Sequence, residues 1–263
     1  MEEYYFISDL HLGFGSKQND REKEDIFLKF LDEIKETATE IFIVGDLFDV
    51  WIEYRQVVPK GHYRLLSKIS ELTDKGIKIN YFAGNHDFWR GKYFYDEFGI
   101  KILDNPIERF IENKRFYISH GDGLAYKDTG YRILKRILRN RLSQFLYSWI
   151  HPDIGIWLAR KSSAKSRDYT DVKDFSEKDG MRDFAIAKIT EGYDYVILGH
   201  RHRPSIEKYK NGHYVVLGDW IKSFSYGRFK AGDFKLFKYY DSVKKEVWKV
   251  SEVNLKQEIE EKK

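Results

Sequence analysis

Short apolar runs alternate with amphipathic stretches along the first half of the chain. "YYFIS" (4–8), "EIFIV" (40–44), "IKINYF" (77–82), "RFYIS" (115–119) and, later, "DYVIL" (194–198) have the length and the β-branched and aromatic content of strands. Between the first three, Ile26, Phe27, Phe30, Leu31 and Ile34 recur at helical spacing, as do Leu65, Leu66, Ile69 and Leu72. Strands alternating with helices predict an α/β layered fold. From Tyr131 to about Gly192 the pattern is mostly helical, through "YRILKRILRNRLSQFLYSWI", "IGIWLARK" and "EKDGMRDFAIAKITEG", with Gly180 weakening the last helix. This stretch interrupts the strand series. It therefore reads as a helical cap over 125–192, inserted between core segments 1–124 and 193–250. After Arg203, "HYVVLGDW", "FSYGRFK" and "DFKLFKYYD" predict short antiparallel strands, and the charged tail 251–263 is expected to fray.

Each of the five strand runs ends in metal-competent side chains. "SDLHLG" supplies Asp9 and His11, "GDLFDVW" Asp46 and Asp49, "GNHD" Asn85, His86 and Asp87, "SHGD" His120 and Asp122, and "GHRHRP" His200 and His202. In α/β sheets the ligand site lies off the carboxyl ends of the strands, so five such ends bring these groups to one crevice. Asp9 with His11 and His200 with His202 are i, i+2 pairs, which an extended backbone points to the same side, each pair within reach of one metal. Taken singly, each block also reads as a turn or a helix cap. Taken together, five of the eight histidines fall in these blocks, and the ordered set argues for a metal site.

Composition narrows the chemistry. The chain of 263 residues has no cysteine, which excludes disulfides and thiolate ligands and leaves His, Asp, Glu, Asn and backbone oxygen. Oxygen and imidazole donors suit Mn²⁺, Fe or Zn²⁺. Charged residues at 33% and hydrophobic residues at 42% fit a globular protein. No apolar run approaches the roughly 20 residues that span a bilayer, and "MEEYYFISDLHLG" has no basic leader, so a cytoplasmic protein is expected. The net charge of +4 is unevenly spread: Ala125 to Gly180 holds 12 Lys plus Arg against 7 Asp plus Glu. An anionic ligand or surface fits this segment, as does a merely solvated basic face.

The ordered blocks D-x-H, GD, GNHD, H and GHxH resemble the calcineurin-like metallophosphoesterase superfamily. The resemblance implies a four-layer β-sandwich flanked by helices and two divalent metals, Mn²⁺ first, with Fe or Zn²⁺ as alternatives. It implies Asp9, His11, Asp46 and His202 as ligands of the first metal, and Asp46, Asn85, His120 and His200 as ligands of the second, with Asp46 bridging. Two such metals acidify a water for in-line attack on phosphorus. Asn85 coordinates through a neutral oxygen, adding no charge to repel a phosphate. His86, oriented by Asp87 beside it, is the expected general acid or charge-stabilising group.

"GDLFDVWIEY", "HGDGLAYKDTGYRILKRILRN" and "GHRHRP" are similar, more narrowly, to the UDP-2,3-diacylglucosamine hydrolases of lipid A synthesis, and "VVPKGH" to their Bacteroidetes-type branch. That resemblance implies hydrolysis of the substrate pyrophosphate to UMP and 2,3-diacylglucosamine 1-phosphate at the membrane face, with Asp128 contacting substrate. Lys161, Lys165 and Arg167 are further candidates, since a pyrophosphate and a sugar need cationic and small polar groups. The apolar positions Leu134, Ile137, Leu138, Leu142, Phe145, Leu146 and Trp149 either pack on the core or face acyl chains and the inner membrane, to which the protein would bind peripherally. His86 departs from the narrower pattern, because proteobacterial members commonly carry Arg there. Two alternatives stay open: a phosphodiesterase acting on nucleotides or nucleic acid, and a non-catalytic scaffold. Interleaving with aliphatic rather than aromatic residues speaks against nucleic acid, and the complete ligand set against a scaffold.

Overall fold

The computed structural model describes residues 2–88, 91–124, 129–172, 179–241 and 246–252. Four strands, β1 (Glu3–Ile7), β2 (Ala38–Val44), β3 (Lys78–Phe82) and β4 (Ile102–Leu103), run parallel and side by side. The antiparallel strands β10 (Ser225–Lys230), β11 (Asp233–Asp241) and β12 (Glu246–Glu252) extend this sheet from β1. Its order is β12-β11-β10-β1-β2-β3-β4. A second sheet holds β5 (Ile107–Ile111), β6 (Lys114–Ser119), β7 (Tyr195–Leu198), β9 (Gly212–Val216) and β8 (Ser205–Tyr209), in that order. Here β6, β7 and β9 are mutually parallel, while β5 and β8 are antiparallel edges. The expected all-antiparallel arrangement after Arg203 thus fails at β9, which pairs parallel to β7. It is as fully hydrophobic as an interior parallel strand requires, with Tyr214, Val215 and Val216 all buried.

The two sheets face each other across Phe6, Phe42, Phe82, Phe116, Ile197 and Phe229. Phe6 and Phe42, in register on β1 and β2, stack at 4.7 Å. The outer face of the first sheet is covered by α1 (Lys17–Ile34), α2 (Tyr63–Asp74) and α3 (Tyr93–Phe98), through Phe27, Phe30, Leu65, Ile69 and Phe94. Helix α7 (Gly180–Thr190) covers the outer face of the second sheet with Met181, Ala185 and Ile189. Helix, sheet, sheet and helix make the four layers. α7 is therefore part of the layered core, not of the cap to which its helical pattern had joined it. Gly180 does not weaken its interior, since it stands at the first helical position, behind an Asp179 cap that accepts from Met181 and Arg182 N–H at 3.1 Å.

The insertion proper comprises α4 (Thr129–Leu138), α5 (Arg141–Tyr147) and α6 (Pro152–Val172). The continuous helix predicted from Tyr131 is broken at Asn140, whose extended backbone and side-chain bond to Leu142 N–H (2.9 Å) start a new helix. Ile137, Leu142, Phe145, Leu146 and Trp149 are exposed, Trp149 at 78%. Of the two readings of the apolar stripe, packing on the core fails for these five positions. α6 is two-faced. Gly155 and Ser163 are buried with Ile156 and Ala159 partly so, whereas Ile154, Trp157 and Leu158 are exposed. No helix among the described residues is long and apolar enough to cross a membrane.

Candidate metal centre

The carboxyl ends of β1, β2, β3, β6, β7 and β9 meet at one rim. Directly after the strands, Asp9 (φ 56°), His11 (φ 47°), Asp46 (φ 54°) and His200 (φ 66°) occupy the left-handed region, where a side chain costs of order 1–2 kcal/mol. Backbone bonds between the strand ends hold these turns: Asp9 N–H to Gly45 O (3.1 Å), His11 N–H to Asp46 O (2.9 Å), Gly199 N–H to His120 O (3.0 Å) and Trp220 N–H to Asp9 O (3.1 Å). Two of the candidate carboxylates join in, Asp46 Oδ1 accepting from His86 N–H (2.8 Å) and Asp9 Oδ2 from His200 N–H (2.9 Å). Asp9 and His11 share a site because the chain curls tightly there, and the extended geometry assumed from the sequence is absent. The i, i+2 pair His200 and His202 splits between two groups, His200 Nδ1 lying against Asn85 and His202 Nε2 against Asp9.

The side chains form two groups with a common member. In the first, His11 Nε2 lies 3.6 Å from Asp9 Oδ1 and 3.7 Å from Asp46 Oδ2, and His202 Nε2 lies 3.6 Å from Asp9 Oδ1. In the second, His120 Nε2 lies 3.2 Å from Asp46 Oδ2 and 3.1 Å from Asn85 Oδ1, which is 3.0 Å from His200 Nδ1. Asp46 Oδ2 faces both. Donor atoms bound to one ion at about 2.0–2.2 Å stand roughly 3.0–3.6 Å apart, close to the 3.0–3.7 Å found here. Asp9 Oδ1 and both ring nitrogens of His11 are buried without a hydrogen-bond partner among the described residues. Orphaned donors converging on a carboxylate oxygen fit a cation. Asp9, His11 and His202 form one candidate ligand group, and Asp9, Asp46 and His120 another.

Electrostatics agree with this reading. Burial opposes charge on Asp9 and Asp46, yet the nearby His11 and His202 imidazoles hold Asp9 well below the usual carboxylate range, and His120, His86 and His11 do the same for Asp46. Burial also works against a charged His120, but Asp46 and Asp9 outweigh it and push the imidazole up to about 10. His200, desolvated and beside His120, falls to about 4. The proton that these carboxylates hold on His120 supplies positive charge where a cation's would fit.

Asp87 does not orient His86, contrary to the expectation from their adjacency. Its carboxylate accepts from Leu47 N–H (2.8 Å), Gly84 N–H (2.7 Å) and Tyr81 Oη (2.5 Å), so it builds the turn instead. Burial and the Asp46 charge raise it to about 6. Beside Nδ1 of His86 stand Ser163 of α6, whose Oγ is 2.8 Å away, and Asp49, 3.7 Å away. Asp219 is a further residue the sequence reading passed over. Fully buried, it places Oδ2 3.7 Å from His202 Nδ1 while Oδ1 accepts from Lys222 and Ser223 N–H at 3.0 and 2.7 Å. Its signal was available in "VVLGDW", a further GD at a strand end. Trp220, whose backbone N–H binds Asp9 O, buries its ring in the core against Phe27 and Phe30.

Beside His120 opens a cavity of about 710 Å³, lined by Lys135, Arg136, Arg139 and Arg141, the turn Asp104–Pro106, and Phe184. Lys135 pairs with Asp122 at 2.7 Å, and Arg139 donates to Gly84 O at 2.9 Å, which ties α4 to the GNHD turn. Lys161 is exposed on the outer side of α6, 5.2 Å above the Trp157 ring. Asp128 and the side chains of Lys165 and Arg167 lie outside the described residues.

A doubly covered sandwich whose rim carries a shared-carboxylate His/Asp/Asn centre defines a metallophosphoesterase, and residues 4–204 match the calcineurin-like phosphoesterase model, so the chain belongs to that family. Its curated relatives point to one member activity. The UDP-2,3-diacylglucosamine hydrolase of Porphyromonas gingivalis is 33% identical over 248 residues, covering 84% of this chain and 92% of that protein. Proteins of the same name from Haemophilus ducreyi (32%; 84% and 92% covered) and Ectopseudomonas mendocina (34%; 81% and 88%) are similar over comparable lengths.

Proposed function

We propose that the protein is a two-metal hydrolase that cleaves the pyrophosphate of UDP-2,3-diacylglucosamine to UMP and 2,3-diacylglucosamine 1-phosphate. The observation that carries this reading is the pair of ligand groups sharing Asp46 Oδ2, in a chain alike over most of its length to hydrolases of that substrate. Asp9, His11, Asp46 and His202 would hold one ion, and Asp46, Asn85, His120 and His200 the other, with Mn²⁺ the proposed metal. When bound, a divalent pair lowers the pKa of water and screens phosphate charge. The chain's own groups do the rest. Asn85, a neutral ligand, leaves the phosphate unopposed. His86, whose ring nitrogen lies within 4.8 Å of donor atoms of His11 and Asp46, stabilises charge developing on the leaving oxygen. Arg136 and Arg141, which pair with no carboxylate among the described residues, hold the pyrophosphate from the basic cavity beside His120.

Ile137, Leu142, Phe145, Leu146, Trp149 and Trp157, exposed on the insertion among arginines and lysines, supply an apolar contact for acyl chains and for the bilayer surface. Asp128, Lys165 and Arg167 are proposed as substrate contacts on the strength of the family resemblance, and Lys161 as a contact to lipid phosphate at the outer side of α6. The test is incubation with Mn²⁺ and UDP-2,3-diacylglucosamine. Mass spectrometry should find UMP and the lipid 1-phosphate in equal amounts. Turnover of simple phosphodiesters with none of the lipid nucleotide would discard the substrate assignment. For the membrane, co-sedimentation with anionic vesicles should fall in a Leu146→Glu/Trp149→Glu variant, and wild type that stays in the supernatant would reject the peripheral site.

A further inference from the structure

We infer that Ser163, reaching into the metal centre from the inserted helix α6, is a positioning residue that fixes the His86 ring for the leaving oxygen; this rests on the hydrolase reading above. Ser163 Oγ donates to Asp49 Oδ1 at 2.8 Å and stands 2.8 Å from His86 Nδ1. A hydroxyl has one proton. Given to Asp49, it leaves Ser163 able only to accept, so Nδ1 of His86 carries the hydrogen between them. That bond fixes which edge of the ring Nε2 presents to the cleft. The hydrogen position follows from donor counting along the chain Asp49, Ser163, His86.

Burial gives the array its weight. Asp49, Ser163 and His86 are 3%, 7% and 8% exposed, so bulk water competes poorly for these bonds. Nothing in the GNHD turn does the same work, because the Asp87 carboxylate is committed to Leu47, Gly84 and Tyr81. Ser163 is also held from its own side. Eight residues earlier on the same face of α6, Gly155 packs so closely on Tyr54 that a Cβ there would lie 2.0 Å from the phenolic oxygen, and Tyr147 Oη donates to Gly155 O at 2.7 Å. The opposite face carries the exposed Trp157 and Leu158. One helix thus bears the proposed lipid contact outward and the orienting hydroxyl inward.

A double-mutant cycle tests this. Ser163→Ala in the wild-type background should lower kcat about 10- to 100-fold with KM little changed, whereas in a His86→Gln background it should cost nothing further, since residues acting as a unit are non-additive. Ser163→Thr, which keeps the hydroxyl, should recover most of the loss. In the metal-free protein, ¹H–¹⁵N spectra should show a slowly exchanging His86 Nδ1–H proton that Ser163→Ala removes. The cycle is run on UDP-2,3-diacylglucosamine and on bis(4-nitrophenyl) phosphate. Wild type active only on the second would sink the substrate reading alone. Equal losses in both backgrounds, a KM effect without a kcat effect, or an unaltered Nδ1–H signal would overturn the role of Ser163.

Discussion

Replacing Asp219 by asparagine removes one charge and almost no volume, which isolates its effect on His202. The carboxylate is fully buried, its Oδ1 engaged by Lys222 and Ser223 N–H and its Oδ2 3.7 Å from His202 Nδ1. His202 Nε2 points the other way, 3.6 Å from Asp9 Oδ1. A ring coordinating through Nε2 carries its hydrogen on Nδ1, and the negative charge of Asp219 3.7 Å away favours this tautomer. In Asp219→Asn the amide oxygen can still serve the two backbone donors, which turns the NH₂ toward Nδ1. Two donors then oppose each other across the fully buried side chain of position 219. Loss of such a supporting carboxylate typically costs 10- to 100-fold in metal affinity, about 1.4–2.8 kcal/mol. Calorimetric titration of the metal-free protein with Mn²⁺ should show two sites in the wild type. In the variant, the site of Asp9, His11 and His202 should weaken by that factor, while the site of Asn85, His120 and His200 holds and the metal-free melting temperature shifts by only a few degrees. Unchanged affinity at both sites, or equal weakening of both, would refute the orienting role.

Gly84→Ala should abolish dinuclear metal binding and destabilise the protein by about 1–3 kcal/mol, because its Cβ would lie 2.0 Å from Asp46 Oδ1 and 2.5 Å from the Asp46 backbone nitrogen, which no rotamer change relieves; denaturant melts and metal analysis read both. Mn²⁺ binding at pH 7.5 should release at least one proton and strengthen as pH rises toward about 10, since the opposing influence of burial is outweighed by Asp46 and His120 stays protonated until then in the metal-free protein; titrations in buffers of different protonation enthalpy count the protons, and zero would be contrary. His62, buried against Phe48 at 4.8 Å and held down to about 4 by desolvation, must stay neutral in the fold while the unfolded chain protonates it below about 6.5. Its contribution is thus fully present above 6.5 and lost as pH falls toward 4, roughly 2 kcal/mol between pH 7 and 5. His62→Phe should flatten the acid limb of the stability curve by that amount, and an equally steep limb in the variant would count against it.

How much of this was legible in the chain depends on the range of the signal. The strand ends were visible because a buried parallel strand is a continuous apolar run and each ligand block follows one directly, as in "EIFIVGD". The role expected of Asp87 failed because adjacency in sequence says nothing about side-chain direction in a tight turn, and the carboxylate folds back onto three donors of its own loop. Ser163 was invisible as an orienting group, since it lies 77 residues from His86 and 114 from Asp49 and meets them only through helix docking. α7 shares the helical period of the insertion, and only its buried Met181, Ala185 and Ile189 reveal a core helix. Asn140 was readable as a cap, but the uninterrupted apolar stripe masked it.

The most direct test of the shared-carboxylate centre measures bound Mn²⁺ and UMP release on the same samples as metal is added to metal-free protein. With Asp46 common to two ligand groups, UMP release from UDP-2,3-diacylglucosamine should rise with the second equivalent and level off at two per chain, and Asp46→Asn should bind at most one ion and release no UMP above background. Full activity at one equivalent, or an Asp46→Asn protein that still binds two ions and turns over, would contradict it.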